Sequence, residues 1–262
     1  MKLSLSNIGW SAENDQQAFN LMKSKGFAGL EIAPTRIFPE NPYEDLGAAK
    51  NWANRIKNGY GFEIPSMQSI WYGRPEKVFG SEGEKAALVD YTKKAINFAE
   101  AIGCGNLVFG CPGNRSIPDG VNAEDTVPFF KEIGDYASAH NCVIAMEANP
   151  PIYNTNFINT TEQALDLIQM VDSDGFLLNL DIGTMVENEE GISVLVGNEK
   201  YIHHVHISEP GLKPIEKRRL HIELADMLRD VGYNGFVSIE VGKQENTEVL
   251  VSMMEYVGGI FR

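Results

Sequence analysis

Eight short runs of apolar residues recur along the chain, separated by longer stretches whose apolar residues repeat every three or four positions. The short runs predict strands over Leu3–Ile8, Ala28–Ile32, Glu63–Gln68, Asn106–Phe109, Val143–Glu147, Phe176–Asp181, Ile202–Ile207 and Phe236–Glu240. Helices are predicted between them, among others over Ala86–Ile102, Asp125–Ala139 and Thr161–Val171. The last opens on Asn159-Thr160-Thr161-Glu162, a capping residue followed by an early acid. Strands alternating with helices imply βα units and a parallel sheet, and eight units imply a single (β/α)₈ barrel over residues 1–262. Gly26-Phe27-Ala28-Gly29 and Gly232-Tyr233-Asn234-Gly235 each read as a helix C-cap turning into a buried strand. An open doubly wound sheet is the alternative, but no Gly-x-Gly-x-x-Gly follows the first strand and no phosphate-binding Gly-x-x-x-x-Gly-Lys-Ser/Thr occurs.

Composition narrows the function. The chain has 262 residues, 43% hydrophobic, with a formal net charge of −14. A nucleic-acid surface needs a basic stripe. The longest basic run is Lys217-Arg218-Arg219, so no nucleic-acid partner is expected. No apolar segment approaches the roughly 20 residues of a membrane span. Three cysteines without a C-x-x-C pair suggest reduced thiols and a cytoplasmic setting, with no signal peptide at the start.

Candidate chemistry lies at four late strand ends: Glu147, Asp181, His206 and Glu240. Their spacings are 34, 25 and 34 residues, each about one βα unit. In a barrel, C-terminal strand ends converge on one mouth. A lone acid at a strand end is more often a helix cap or a solvated residue. Four such groups in phase imply a cation among them, because they would otherwise repel or stay protonated. Alternation along the seventh strand puts His204 and His206 on one face and His203 on the other. His206, nearest the strand end, is the expected ligand. His204 is expected one layer deeper, His203 toward the helices, and His140 and His221 away from chemistry.

Met146-Glu147-Ala148-Asn149-Pro150, Leu180-Asp181-Ile182-Gly183, Val205-His206-Ile207-Ser208-Glu209-Pro210 and Val237-Ser238-Ile239-Glu240 resemble the xylose-isomerase-like barrel superfamily. More narrowly they resemble its sugar or sugar-phosphate isomerase/epimerase branch, which includes the ketose 3-epimerases. The resemblance implies Glu147, Asp181, His206 and Glu240 as ligands of one divalent metal, with Glu147 and Glu240 also the catalytic acid/base pair. Two positions depart from it. Thr184 stands where the family often has a histidine, and Tyr153 where the epimerases carry a second substrate-binding glutamate.

Three carboxylates and one imidazole suit Mn²⁺, Mg²⁺ or Co²⁺ better than Zn²⁺. Such an ion would polarise a carbonyl while one glutamate removes the adjacent proton and the other delivers it, giving epimerisation or aldose–ketose isomerisation. Loops after the strands should bind the sugar or sugar phosphate, and Trp71, Arg74, Asn149, Thr184, Glu209 and Lys213 are the candidates, with Arg115 weaker. Trp71 could equally close its loop onto the barrel. The Lys217–Arg219 run is read as a solvated basic patch ahead of an anion site. An inosose-type dehydratase or a hydroxypyruvate-type isomerase is the alternative on the same barrel. An apurinic endonuclease or a non-catalytic sugar-binding barrel is further off. A homo-oligomer is left open.

Overall fold

The strands pair side by side and run in one direction. In the computed structural model, which describes residues 1–262, they are β1 Lys2–Ser6, β2 Gly29–Glu31, β3 Ser66–Met67, β4 Asn106–Phe109, β5 Val143–Met146, β6 Phe176–Asp181, β7 Ile202–Ile207 and β8 Phe236–Ile239. The helices are α1 Asp15–Ser24, α2 Pro34–Ile37, α3 Leu46–Tyr60, α4 Glu82–Ile102, α5 Val127–Ala139, α6 Thr161–Val171, α7 Ile182–Glu187, α8 Arg219–Asp230 and α9 Thr247–Phe261. All ladders are parallel, in the order β2-β1-β8-β7-β6-β5-β4-β3. Backbone bonds from Leu30 N to Glu63 O (2.9 Å) and from Gln68 N to Ile32 O (2.8 Å) join β2 to the β3 segment and close the ring. The result is a (β/α)₈ barrel.

Helix starts follow local chemistry. Ser81 with Glu84, and Thr160 with Gln163, form reciprocal caps at α4 and α6. Gly26 and Gly232 hold positive φ of 70° at the turns into β2 and β8. A Cβ on Gly29 would lie 2.5 Å from the Phe236 ring, so only glycine lets the chain pass there.

The two faces of the strands differ. Leu107 and Phe109, Leu178 and Leu180, Val205 and Ile207, and Val237 and Ile239 are buried in the main apolar core. The alternate positions point into the barrel and are largely polar: Ser4, Ser6, Glu31, Ser66, Asn106, Asn179, His204 and Ser238, all at most 2% exposed. Some pair across the barrel, as in Asn106 Nδ2 to Ser66 Oγ at 2.9 Å and Gln68 Nε2 to Ser6 Oγ at 2.7 Å, whereas the Ser4 and Ser238 hydroxyls and Asn179 Oδ1 have no partner.

One expectation is corrected. His203 does not face the helices: its Nδ1 lies 2.7 Å from Asn106 Oδ1 in the barrel interior. The β6–β7 register shifts between Leu178 and Asn179, pairing them with Ile202 and His204. His203 is therefore the extra residue of a bulge, and strict alternation fails there. All three cysteines are free, and no helix is long and apolar enough to cross a membrane.

Candidate metal centre

Glu147 follows β5, Asp181 ends β6, His206 lies in β7 and Glu240 follows β8. Each offers one ligand-type atom, and these atoms lie within 4.8 Å of one another. His206 Nδ1 is 3.0 Å from Glu147 Oε1, 3.5 Å from Glu240 Oε2 and 3.2 Å from Asn179 Nδ2. Glu147 and Glu240 are 8% exposed and His206 is fully buried. Asn179 Nδ2 donates to Glu147 Oε1 at 2.7 Å, and Asn149 Nδ2 to Glu147 Oε2 at 3.1 Å. Asp181 Oδ1 accepts from Thr184 N at 2.6 Å and thereby caps α7, while Oδ2 accepts from the Ser208 hydroxyl.

The electrostatics favour a cation. Burial, then the charges of Glu147 and Glu240, push Asp181 up to about 7, against the lowering effects of His206 and Ser208. Burial likewise raises Glu240, although His206 opposes it. Burial alone would lower His206, but Glu31, Glu240 and the Glu147 contact hold it well above the ordinary histidine value. Carboxylates crowded enough to retain protons, with an imidazole among them, form an oxygen-rich donor set that fits a divalent ion.

A cavity of about 150 Å³ opens onto Glu147, Asp181 and Glu240, with Gln68, Asn149 and Tyr153 also lining it. Tyr153 OH accepts from Gly211 N at 2.9 Å, tying the loop after β5 to the loop after β7. Burial and the three carboxylates push this phenol up to about 12, despite the Gly211 bond.

The other expected substrate contacts divide. Asn149 lines the cavity. Trp71 is 1% exposed, donates from Nε1 to Thr92 Oγ1 at 2.8 Å and packs edge-on to Phe109, so it closes its loop onto the barrel. Arg74 pairs with Glu76 at 2.5 Å and covers the Tyr91 ring. The Thr184 hydroxyl donates to Ala148 O at 2.8 Å and is buried. Glu209 spends both carboxylate oxygens on Arg218, at 2.7 and 2.5 Å. Lys213 is exposed in the loop after β7. Arg219 pairs with Glu223 at 2.6 Å, so the basic run is partly consumed by ion pairs within the chain. Arg115 is fully buried and donates to Asn149 Oδ1 at 2.8 Å.

Sequence reasoning missed Glu31, Gln68, Asn179 and Ser208. Glu31 carried a signal, being a charged residue set between Leu30 and Ile32 in a strand expected to be buried.

A closed ring of eight parallel strands, with its polar groups gathered where the strands end, defines a TIM barrel with an enzyme-like mouth. The family model of the xylose isomerase-like TIM barrel matches residues 19–256, and the chain belongs to that family. D-psicose 3-epimerase of Ruminiclostridium cellulolyticum is 28% identical over 119 residues, which span 45% of this chain and 40% of that relative. The structure of D-psicose 3-epimerase with D-tagatose from Clostridium cellulolyticum H10 superposes with a TM-score of 0.82 at 15% identity over all of both chains. That of 3-keto-D-glucoside 4-epimerase from E. coli superposes with a TM-score of 0.76 at 18% identity over 98% of each. At these identities the likeness to the two structures is one of fold.

Proposed function

We propose that this chain is a divalent-metal-dependent sugar epimerase or aldose–ketose isomerase, with Glu147, Asp181, His206 and Glu240 as the metal ligands. One observation carries the reading. Glu147 and Glu240 come from well-separated strands, approach the same imidazole nitrogen at 3.0 and 3.5 Å, and line the same small cavity. The sequence relative, a D-psicose 3-epimerase, supports the same class.

When bound, the ion (Mn²⁺, Mg²⁺ or Co²⁺ by its donors) supplies a Lewis acid for the substrate carbonyl. The residues do the remainder. One glutamate removes the proton beside the carbonyl and the other returns it to the opposite face, inverting that carbon. Return to the neighbouring carbon gives isomerisation instead. Asn179 and Asn149 each donate to one oxygen of Glu147 and fix the plane of its carboxylate. Tyr153 accepts from Gly211 N, which leaves its own O–H free to donate to a sugar hydroxyl. No lysine or arginine lines the cavity, and this favours a free sugar over a sugar phosphate.

The test is a panel of free and phosphorylated ketoses, incubated with Mn²⁺ in deuterated water. Deuterium should enter the carbon beside the carbonyl of a free ketose. Glu147→Gln should slow that exchange by roughly 10²–10⁴-fold, the usual contribution of a general base. Exchange at a near-parental rate in a metal-loaded Glu147→Gln variant would remove the acid/base assignment.

A further inference from the structure

We propose that Glu31 is a positioning residue: it fixes which nitrogen of His206 faces the three strand-end carboxylates. The proposal rests on the reading that Glu147, Asp181, His206 and Glu240 hold the ion, and it adds a fifth residue that touches none of the other three.

Glu31 lies in β2, across the barrel from β7, and is fully buried. Its Oε2 is 2.9 Å from His206 Nε2 and 3.0 Å from His204 Nε2. Its Oε1 accepts from Gln68 Nε2 at 3.1 Å. Three nitrogens therefore converge on one carboxylate. The Gln68 amide nitrogen can only donate, and its other hydrogen goes to Ser6 Oγ at 2.7 Å. An ionised carboxylate accepts from all three and donates to none, so the His204 and His206 nitrogens that face it carry hydrogens.

The consequence for His206 is geometric. With the hydrogen on Nε2 held by Glu31, the proton that an incoming ion displaces is the one on Nδ1, and the neutral ring then has its lone pair there. Nδ1 is the atom that lies 3.0 Å from Glu147 Oε1 and 3.5 Å from Glu240 Oε2, at the centre of the ligand cluster. The opposite tautomer would place a lone pair against a buried carboxylate oxygen and a hydrogen where the ion belongs. The two imidazoles stand edge to face, with centroids 5.4 Å apart and planes at 84°, and both reach the same oxygen. Neither ring can flip without breaking its bond to Glu31. A carboxylate that holds the far nitrogen of a ligating histidine is a general way of fixing such a ligand.

The first measurement uses the unaltered protein, labelled with ¹⁵N in histidine and loaded with diamagnetic Zn²⁺. Long-range ¹H–¹⁵N correlations should show His206 protonated at Nε2 and unprotonated, metal-bound, at Nδ1. Metal on Nε2 would overturn the proposal. The second measurement is Mn²⁺ affinity by titration in the parent, Glu31→Gln and Glu31→Ala. Glu31→Ala should weaken binding by roughly 10–100-fold. Glu31→Gln should lose less, because its amide oxygen still accepts from the imidazoles. If Glu31→Ala does not fold, the parent spectrum and Glu31→Gln decide: parental affinity in Glu31→Gln with metal on Nε2 overturns the role. A folded Glu31→Ala variant with parental affinity also overturns it while leaving the four-ligand site intact. A parent that binds no Mn²⁺ removes the site reading itself.

Discussion

Asp181 caps α7 and is also one of the four proposed metal ligands. Its Oδ1 accepts from Thr184 N at the start of α7, yet the group sits among the ligand-type atoms of Glu147, His206 and Glu240. The two roles separate by substitution. Asn caps as well as Asp, so Asp181→Asn should keep α7 and the fold while weakening Mn²⁺ binding. It also removes one of three crowded negative charges, so the metal-free variant should be at least as stable as the parent at pH 8. Denaturant unfolding and metal titration together check this, and an unstable variant with parental metal affinity would leave Asp181 a cap alone. Thr184 had been expected to face substrate, but its hydroxyl is committed to Ala148 O. Thr184→Val keeps the shape and removes one of two bonds to that carbonyl, which also accepts from Asn149 Nδ2 at 3.0 Å, at a cost of about 1 kcal/mol. A chain of this size should then melt lower by about 2–4 °C for each kcal/mol, and Thr184→Ser should recover most of the loss. Local residue chemistry made both positions visible in the sequence, but which partner each side chain chose depended on the loop folded over it.

At the level of elements, the tightest approach is between α5 and the start of β6. A Cβ on Gly175 would lie 2.0 Å from Gly134 O and 2.6 Å from Ser138 N, both backbone atoms that cannot swing aside. Gly175→Ala should cost at least about 1–3 kcal/mol, the usual price of overpacking. Gly59, inside α3, meets nothing within 4 Å, and Gly59→Ala should instead stabilise by up to about 1 kcal/mol through helix propensity. Unfolding of the two variants side by side checks both signs. The strand pattern was most legible where neighbours pair on both sides: Asn106–Phe109, Phe176–Asp181 and Ile202–Ile207 have the ends that their apolar runs indicate. It was least legible at β3, expected over Glu63–Gln68 and formed only at Ser66–Met67. Pro65 has no N–H to give the ladder, so the segment meets β2 through isolated bridges. The four strand-end ligand candidates were readable because each follows a clear apolar run. Glu31 stands out as a charge inside such a run without following one, whereas His203 is hidden by a bulge that no local pattern announces.

Across the whole molecule, the polar barrel interior and the inter-helix contacts hold two histidines as neutral rings, one half-buried and one fully buried. His203 sits on Asn106, and His221 of α8 packs on Tyr256 of α9, with Nδ1 3.0 Å from the hydroxyl and Nε2 without a partner. Burial pushes each down to about 4, with His204 adding to the effect at His203. Unfolded, each would take up a proton near pH 6.5. Between about pH 6.5 and 4 the unfolded chain therefore binds more protons than the native one, and stability falls as the solution is acidified through that window. Asp181 acts in the opposite sense when metal-free. Its folded value of about 7 lies above the ordinary carboxylate value, so its contribution is present at low pH and is lost as pH rises through 7. A comparison within one pH range cancels Asp181 and isolates a single histidine. His221→Phe keeps an aromatic ring against Tyr256 and cannot take up a proton, so its unfolding free energy should fall less than the parent's between pH 7.5 and 4.5. The difference should be about 2.5 kcal/mol, from nearly two pH units of unmatched proton uptake at about 1.36 kcal/mol each. Urea unfolding at the two pH values measures it directly. Equal acid losses in the two proteins would mean that His221 is already protonated in the native chain, and that the α8–α9 contact accommodates an imidazolium.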